Sequence, residues 1–191
     1  GRGASGRRHG PRLAAGRVIE ALPNQGKDAV VALFEIGALT TSMQVMRNDE
    51  VLYDRDQAFG GSQLTQLIVR QYGFSAEEAE AKKRNGELPE DYASTVLRPF
   101  VESTAQEIGR ALQFFFTSTP YNRVDHILLA GGSAPLPGLN EAVTQHTGFA
   151  SITVNPFDGM EIGNGVRLKK MVREAPSYLT SCGLAMRRFL Q

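Results

Sequence analysis

Two short apolar runs mark the strands that we expect at the centre of the fold. Ala29–Ile36 is one such run and Val124–Ala130 is the other, and each is followed by glycine. Runs of this length that end at turn residues are typical of buried strands. Between them, Ser42–Met46 and a stretch from Val51 have strand composition, and the polar turn Asn48-Asp49-Glu50 separates them. The pattern predicts three strands in succession, the last two joined as a hairpin.

Five further segments have the apolar spacing or the terminal signals of helices. They are Ser62–Tyr72, the segment from Ser75 to Asn85-Gly86, Glu90–Thr117, Leu136–His146 and Tyr178–Phe189. Ser75 and Glu78 have the spacing of a capping box. Pro99 is expected to kink the third helix or to mark its effective start. We expect Phe114-Phe115-Phe116 to pack between that helix and the sheet.

The second apolar run leads into a bend with two adjacent glycines. Gly131 and Gly132 follow the strand, and the Pro-Leu-Pro-Gly stretch after them leads into the next helix. Glycines leave room for a flat ligand to approach the backbone, and the amides that open a helix can face an anion. The bend is therefore a candidate nucleotide site. A Gly-Gly turn after a strand is also ordinary loop chemistry, so both interpretations stay open.

A second bend combines a carboxylate with glycine and hydroxyl groups. Glu35 lies at the end of the first strand, and Gly37, Thr40 and Thr41 follow it. A carboxylate here can hold Mg²⁺ weakly, through water, while loop amides and threonine hydroxyls meet phosphate oxygens. Scattered histidines and the lone Cys182 supply no other metal-ligand set, and we expect Cys182 to be a small core residue.

Three motifs in this order resemble the second half of an actin-like ATPase. They are Glu35-Ile-Gly-Ala-x-Thr-Thr, Phe59-Gly-Gly-x-Gln-Leu-Thr and Ala130-Gly-Gly-Ser-Ala-Pro-Leu-Pro-Gly-Leu. Leu112-Gln-Phe-Phe-Phe, Asn155-Pro-Phe and Ser181-Cys-Gly-Leu-Ala-Met-Arg are similar to the PilM family of type IV pilus assembly proteins, relatives of the division protein FtsA. The resemblance covers residues 29–191. It implies an α/β fold: an actin-like, ribonuclease H-like ATPase lobe with a mixed sheet flanked by helices and a small helical inserted subdomain.

The resemblance also implies roles for individual residues. Residues 35–41 would form the phosphate-2 loop, and residues 130–135 the adenosine loop. Glu80 and Lys83 would face the ribose and adenine, although residue chemistry alone also allows a solvated helix face with paired charges. The implied nucleotide-binding residues are Glu35, Gly37, Thr40, Thr41, Glu80, Lys83, Gly131, Gly132 and Ser133. The implied cofactor is ATP or ADP with Mg²⁺ in the full-length protein, with weak or no binding by this chain.

Two departures from the family pattern shape the expected organisation. The family usually has Asp at the position of Glu35, so we do not expect hydrolysis, and we assign no catalytic residue and no independent enzymatic activity. No phosphate-1 hairpin precedes Ala29, so we expect one lobe of the two-lobed clamp. That lobe would span residues 29–175, with the helical insertion at about 62–98. The helix at 176–191 would return to the missing first lobe.

Charge sets the first residues of the chain apart. Residues 1–19 contain five arginines and no acidic residue, whereas the whole chain has a net charge of +1. Large apolar residues are sparse there, so we expect residues 1–28 to be a flexible basic segment. Aromatic residues are not interleaved with the arginines, so we expect no nucleic acid partner. The longest apolar runs fall far short of the ~20 residues that a bilayer requires.

The function that the resemblance implies is that of a cytoplasmic scaffold in type IV pilus assembly. It would lie at the inner face of the inner membrane, peripheral to it, and dock the cytoplasmic N-terminal tail of PilN, mostly through the missing lobe. It would join PilN, PilO and PilP, and the last helix could also support self-association. The alternatives are a cytomotive or cell-division actin homologue of the FtsA/MreB type and a fragment of a sugar-kinase-like phosphotransferase. The phenylalanine and Gly-Gly motifs favour the pilus branch.

Overall fold

One mixed sheet forms the centre of the protein. The computed structural model describes residues 28–48, 50–158, 160, 171–172 and 174–186. Among them the strand order is β3-β2-β1-β4-β5. The strands are β1 (Val31–Ile36), β2 (Thr41–Arg47), β3 (Glu50–Gln57), β4 (His126–Ala130) and β5 (Ser151–Thr153). The pairs β1/β2 and β2/β3 are antiparallel, whereas β1/β4 and β4/β5 are parallel.

Helices connect and flank these strands, as the sequence predicts. They are α1 (Ser62–Tyr72), α2 (Ala76–Asn85), α3 (Arg98–Ser118), α4 (Leu139–Thr147) and α5 (Leu179–Met186). A π-helical segment, Ala93–Leu97, precedes α3, and a 3-10 helix, Ala175–Tyr178, precedes α5. The mixed sheet flanked by helices is thus confirmed, and α1, α2 and the π-helical segment lie between β3 and α3.

Local signals set the ends of α1 and α2. Gly73 ends α1 with φ of 71°, and Gly86 ends α2 with φ of 75°. Both values lie in the left-handed region, which glycine adopts without a steric penalty. The Ser75 hydroxyl oxygen accepts a hydrogen bond from the Glu78 amide at 3.1 Å, which satisfies a helix donor that would otherwise lack a partner. These boundaries agree with the prediction.

Pro99 lies at the start of α3. It stands in the first turn of the helix, the position at which a helix tolerates a missing amide hydrogen best. The residues just before it adopt the wider π-helical geometry instead. Of the two outcomes that the sequence allows for this proline, its place in α3 agrees with the effective start of the helix.

Apolar side chains cover both faces of β1. Phe34 and Ile36 belong to the core cluster that includes α3, whereas Val31 and Leu33 belong to the cluster that includes Leu179 of α5. Successive side chains of a strand point to opposite faces, so a continuous apolar run is what a strand buried on both faces requires. The helices α3 and α5 therefore lie on opposite sides of the sheet.

The phenylalanine triplet of α3 divides between core and surface. Phe115 is fully buried, and its ring lies 5.4 Å from that of Tyr53 in β3. Phe116 packs against Phe149, with ring centroids 5.8 Å apart. The prediction that all three pack inward is wrong for Phe114, which is 49% exposed. Consecutive residues of a helix point about 100° apart, so one of three must face outward.

Parts of the predicted organisation lie beyond the described residues. The basic segment 1–28 is described only at Asp28, and the final helix is described only as far as Met186. Within the described residues, the structure contains no helix that is both long and apolar enough to cross a membrane.

Replacing Phe115 should destabilise the protein far more than replacing its neighbour Phe114. We expect Phe115→Ala to lower the free energy of unfolding by about 3–5 kcal/mol, because it leaves a cavity between α3 and the sheet. Phe114→Ala is the matched control. It removes a half-exposed ring, and the stacking of the Arg55 guanidinium, 4.1 Å from the ring centroid, is worth about 1 kcal/mol or less. Urea unfolding measures both values, and equal losses would contradict this packing.

Candidate functional site

Three loops that contain glycine meet at one edge of the sheet. They follow β1, β3 and β4, and they carry Gly37, Gly60-Gly61 and Gly131-Gly132 respectively. The three strands run in the same direction, so their carboxyl ends reach the same edge. In α/β sheets this is the edge outside which ligands bind. The two bends that the sequence singles out are therefore neighbours in space.

The first two loops are joined backbone to backbone. The Gly61 amide donates to the Gly37 carbonyl oxygen at 2.9 Å, and the Ser62 amide donates to the Ala38 carbonyl oxygen at the same distance. A Cβ atom on Gly60 would lie 2.6 Å from both carbonyl oxygens. No side chain fits at that distance, so the contact requires glycine at position 60.

The third loop uses its two glycines for different purposes. Gly131 has φ of +90°, and a Cβ there would lie 2.4 Å from the Ile36 carbonyl oxygen. Its amide donates to the Pro176 carbonyl oxygen at 2.8 Å. A Cβ on Gly132 would instead meet nothing within 4 Å. Gly131 therefore lets the loop close against β1, whereas Gly132 leaves open space at the backbone.

A cavity of about 1380 Å³ lies between these loops and the helices α1 and α2. Its size is ample for a small ligand, since typical ligand pockets measure about 300–1,000 Å³. Six of the nine predicted nucleotide-binding residues line it, namely Gly37, Glu80, Lys83, Gly131, Gly132 and Ser133. The structure therefore brings together residues that lie almost one hundred positions apart in the sequence.

Glu80 and Lys83 are joined to each other and to a third residue, Thr65. The Lys83 ammonium lies 2.6 Å from the Glu80 carboxylate, and both groups contact the Thr65 hydroxyl at 2.8 Å. The Lys83 side chain is only 22% exposed. The paired charges that residue chemistry predicts are therefore present, and the pair also lines the cavity and contacts α1. A role of the pair toward ribose and adenine stays a prediction.

Hydrogen bonds keep Glu80 ionised. Partial burial is the largest single influence and raises the pKa of this carboxyl, but the hydrogen bonds from Lys83 and Thr65 and the nearby positive charges together outweigh it. The charges of Lys83 and Arg84 act in the same direction, so the pKa of Glu80 lies below its ordinary value. The network therefore stabilises the folded protein at a pH above the ordinary pKa of a glutamate. This stabilisation is lost as the pH falls through the lowered pKa of Glu80.

The other three predicted residues are absent from the described cavity wall. The Thr41 hydroxyl is fully buried and donates to the Phe59 carbonyl oxygen at 2.9 Å. A Glu35 carboxylate oxygen accepts a hydrogen bond from the Thr180 hydroxyl at 2.7 Å. Thr40 is exposed, and its carbonyl oxygen accepts from the Gly37 amide. Contacts of these three residues with phosphate or Mg²⁺ stay a prediction.

Sequence reasoning missed several residues of the cavity wall. They are Gly61, Ser62, Thr65, Gln66, Val69, Arg70, Ala76, Glu77, Ala81, Arg84, Leu136, Pro137, Glu174 and Ser177, whereas Ala38 and Pro135 lie within the two predicted loops. Thr65 is the most informative of them, because it ends the Phe59–Thr65 motif and contacts Glu80 from another helix. That motif was the one available signal, but only the packing of α1 against α2 shows what its threonine does.

Comparison with known proteins gives a family match and several similar structures. A family model described as type IV pilus assembly protein PilM matches residues 8–189. A PilM-PilN type IV pilus biogenesis complex is 26% identical with a TM-score of 0.74, and the match covers 93% of this chain and 51% of that chain. This chain therefore spans about half the length of that relative.

Two more distant structures share the fold. The ethanolamine utilization protein EutJ from Carboxydothermus hydrogenoformans is 21% identical with a TM-score of 0.63, over 92% of this chain and 53% of that chain. An archaeal actin homologue in complex with ADP is 12% identical with a TM-score of 0.64, over 94% of this chain and 56% of that one. At such identities the likeness shows an actin-like fold and nothing more.

Alanine substitutions should separate the glycines that the loops require from the one that faces open space. We expect Gly131→Ala and Gly60→Ala each to lower the free energy of unfolding by roughly 2 kcal/mol or more, because backbone atoms block the new methyl group. Gly132→Ala is the matched control and should change it by less than about 1 kcal/mol. Thermal and urea unfolding measure these changes in stability. An unchanged free energy of unfolding in Gly131→Ala would refute the close approach to Ile36.

Proposed function

Because the chain belongs to the family of type IV pilus assembly protein PilM, we propose that it supplies a nucleotide-binding lobe to a scaffold of pilus assembly. The observation that carries the proposal is the single cavity shared by the glycine loops and the Glu80–Lys83 pair. In the proposed scaffold, bound nucleotide adjusts the shape of the protein and the docking of its partners, and turnover is not its main role.

The chemistry of the cavity wall fits a nucleotide. Glycine loops let a ligand approach the backbone closely because no side chain stands in front of it, and such loops suit phosphate groups. The amides of Gly37 and Gly131 already donate to backbone carbonyl oxygens, so the proposed phosphates would meet the remaining amides of these loops. A Cβ on Gly132 would protrude into open space, so its absence leaves room for a ligand at the backbone. We assign the phosphates to the loops at Gly37–Ala38 and Gly131–Ser133. Glu80 and Lys83 would then hold the ribose and base.

Similar structures support a nucleotide as the ligand. The archaeal actin homologue of the same fold was solved in complex with ADP. Actin-like proteins place nucleotide between two lobes, and this chain matches about half of the related PilM chain. We therefore propose ATP or ADP as the ligand of a full-length PilM protein, with weak binding by the lobe described above.

Glu35 is our proposed anchor for Mg²⁺, acting through water. Its carboxylate lies at the end of β1, next to the loop that carries Gly37. One of its oxygens accepts the Thr180 hydrogen bond, which leaves the other carboxylate lone pairs for water. Because the described residues contain no group of three or more His, Cys, Asp or Glu side chains suited to a metal, phosphate oxygens would have to supply further ligands.

PilN is the partner that we propose for this protein. The related structure is a complex of PilM with PilN. PilN, PilO and PilP would then connect the scaffold to the inner membrane, with the protein itself at the cytoplasmic face. The groove for the PilN tail would lie mostly outside the part of PilM that this chain matches.

Nucleotide binding should depend on Lys83 and not on its neighbour. We expect a fluorescent ADP analogue to bind the chain with a dissociation constant above about 10 µM, and Lys83→Met to weaken binding about tenfold, because a charged hydrogen-bond donor is lost. Lys82→Met is the control, since Lys82 lies on the same helix and contacts Phe74 and Glu78.

Three results of this titration would count against the proposal. Nanomolar affinity would show that the lobe needs no further contacts. If the two lysine variants weaken nucleotide binding equally, Lys83 has no specific role in the site. Absence of binding at millimolar ADP would reject a nucleotide as the ligand of this chain.

The chain alone should bind the PilN tail weakly. We expect a synthetic peptide of the cytoplasmic N-terminus of PilN to have a dissociation constant above about 10 µM, because most of the proposed groove lies in the part of PilM that this chain does not match. Fluorescence anisotropy measures this, with a scrambled peptide as control. Specific binding in the low micromolar range would place the groove on this lobe and contradict the assignment.

A further inference from the structure

The geometry points to Thr65 as a positioning residue of the cavity. We infer that its hydroxyl holds the Glu80 carboxylate and the Lys83 ammonium in place for the sugar of a bound nucleotide. The inference deepens the proposed function and rests on it. Thr65 would act through Glu80 and Lys83 and would not itself change chemically.

The Thr65 hydroxyl acts as a hydrogen-bond donor and as an acceptor at the same time. It donates its proton to Glu80 Oε2 at 2.8 Å and accepts a proton from Lys83 Nζ at 2.8 Å. Lys83 Nζ also donates to the same Glu80 oxygen at 2.6 Å. The three groups therefore form a closed ring of hydrogen bonds between two helices. In such a ring the rotation of each side chain is fixed by the other two.

The ring leaves the hydrogen-bonding capacity that a hydroxyl-bearing ligand needs. An ammonium has three N–H donors, and the contacts to Thr65 and Glu80 use two of them. Glu80 Oε1 lies 3.4 Å from the Arg84 guanidinium, which is 75% exposed, so this oxygen is at the outer side of the network. A ribose hydroxyl can accept from Lys83 and donate to Glu80 at the same time. The pair thus suits a sugar diol better than a phosphate, because a phosphate offers no proton to a carboxylate.

Thr65 also links the two ends of the cavity. It lies one turn after Gly61, whose amide is bonded to the Gly37 carbonyl oxygen. The backbone that fixes the loop after β1 therefore continues directly into α1, whose Thr65 contacts Glu80 and Lys83 of α2. Through Thr65, the spacing between the glycine loops and the charged pair is set before a ligand arrives.

A purely local role does not explain this contact. Salt bridges three or four residues apart on one helix form without help from another helix, as Lys82 and Glu78 do on α2. Thr65 instead reaches Glu80 across fifteen residues of sequence. Thr65 lies on the cavity wall beside the pair, so the orientation that it imposes on Glu80 and Lys83 would affect a bound ligand.

Thr65→Val tests the inference, because valine keeps the shape and removes the hydroxyl. We expect this variant to bind the fluorescent ADP analogue about tenfold more weakly than the unaltered chain, with Thr65→Ser restoring most of the loss. Carboxyl-carbon NMR should show a higher pKa for Glu80 in Thr65→Val and a return toward the original value in Thr65→Ser. Thr117→Val is the control, since the Thr117 hydroxyl contacts only the backbone of α3.

The outcomes separate the inference from the function on which it rests. If Thr65→Val binds ADP with the same affinity as the unaltered chain, or if the pKa of Glu80 does not change, the inference is wrong but the proposed nucleotide site is unaffected. Weakening by Thr65→Val that Thr65→Ser does not restore also overturns it, because shape and not the hydroxyl would then matter. If the unaltered chain binds no ADP, the proposed function fails and the inference fails with it.

Discussion

The close approach of backbone to backbone between three loops is the constraint on which the site depends. The Gly61 amide lies 2.9 Å from the Gly37 carbonyl oxygen, and Cβ atoms on Gly60 or Gly131 would overlap carbonyl oxygens at 2.6 and 2.4 Å. Side chains would force these loops apart, because backbone atoms cannot move aside as a flexible side chain can. The glycines therefore let three strands end in one shared cavity wall instead of three separate turns.

The rest of the fold holds these loops in register. The apolar faces of β1 pack against α3 on one side and α5 on the other, so the strand that precedes Gly37 is fixed from both sides. The Gly131 amide donates a hydrogen bond to the Pro176 carbonyl oxygen of the 3-10 helix before α5. The Thr180 hydroxyl of α5 donates to Glu35. The 3-10 helix thus contacts the bend after β4, and α5 contacts the end of β1. Stability of the core and geometry of the cavity are consequences of the same packing.

Sequence reasoning succeeded where a signal is local and failed where it depends on distant contacts. The apolar run of β1 and the glycine that ends α1 act within a few residues, so their elements were predicted closely. The two bends were identified from their glycines and from a family resemblance. The hydrogen bond between Glu35 and Thr180 spans 145 residues, and no pattern along the chain contains it. The outward orientation of Phe114 and the ring formed by Thr65 likewise emerge only from packing.

The central claim is that one ligand spans the cavity from the glycine loops to the Glu80–Lys83 pair. An experimental structure of the chain with ADP tests this most directly. The account predicts phosphates at the backbone of the loops after β1 and β4, and ribose hydroxyls within hydrogen-bond distance of both Glu80 and Lys83. A nucleotide bound away from these loops, or one whose ribose contacts neither side chain, would contradict it.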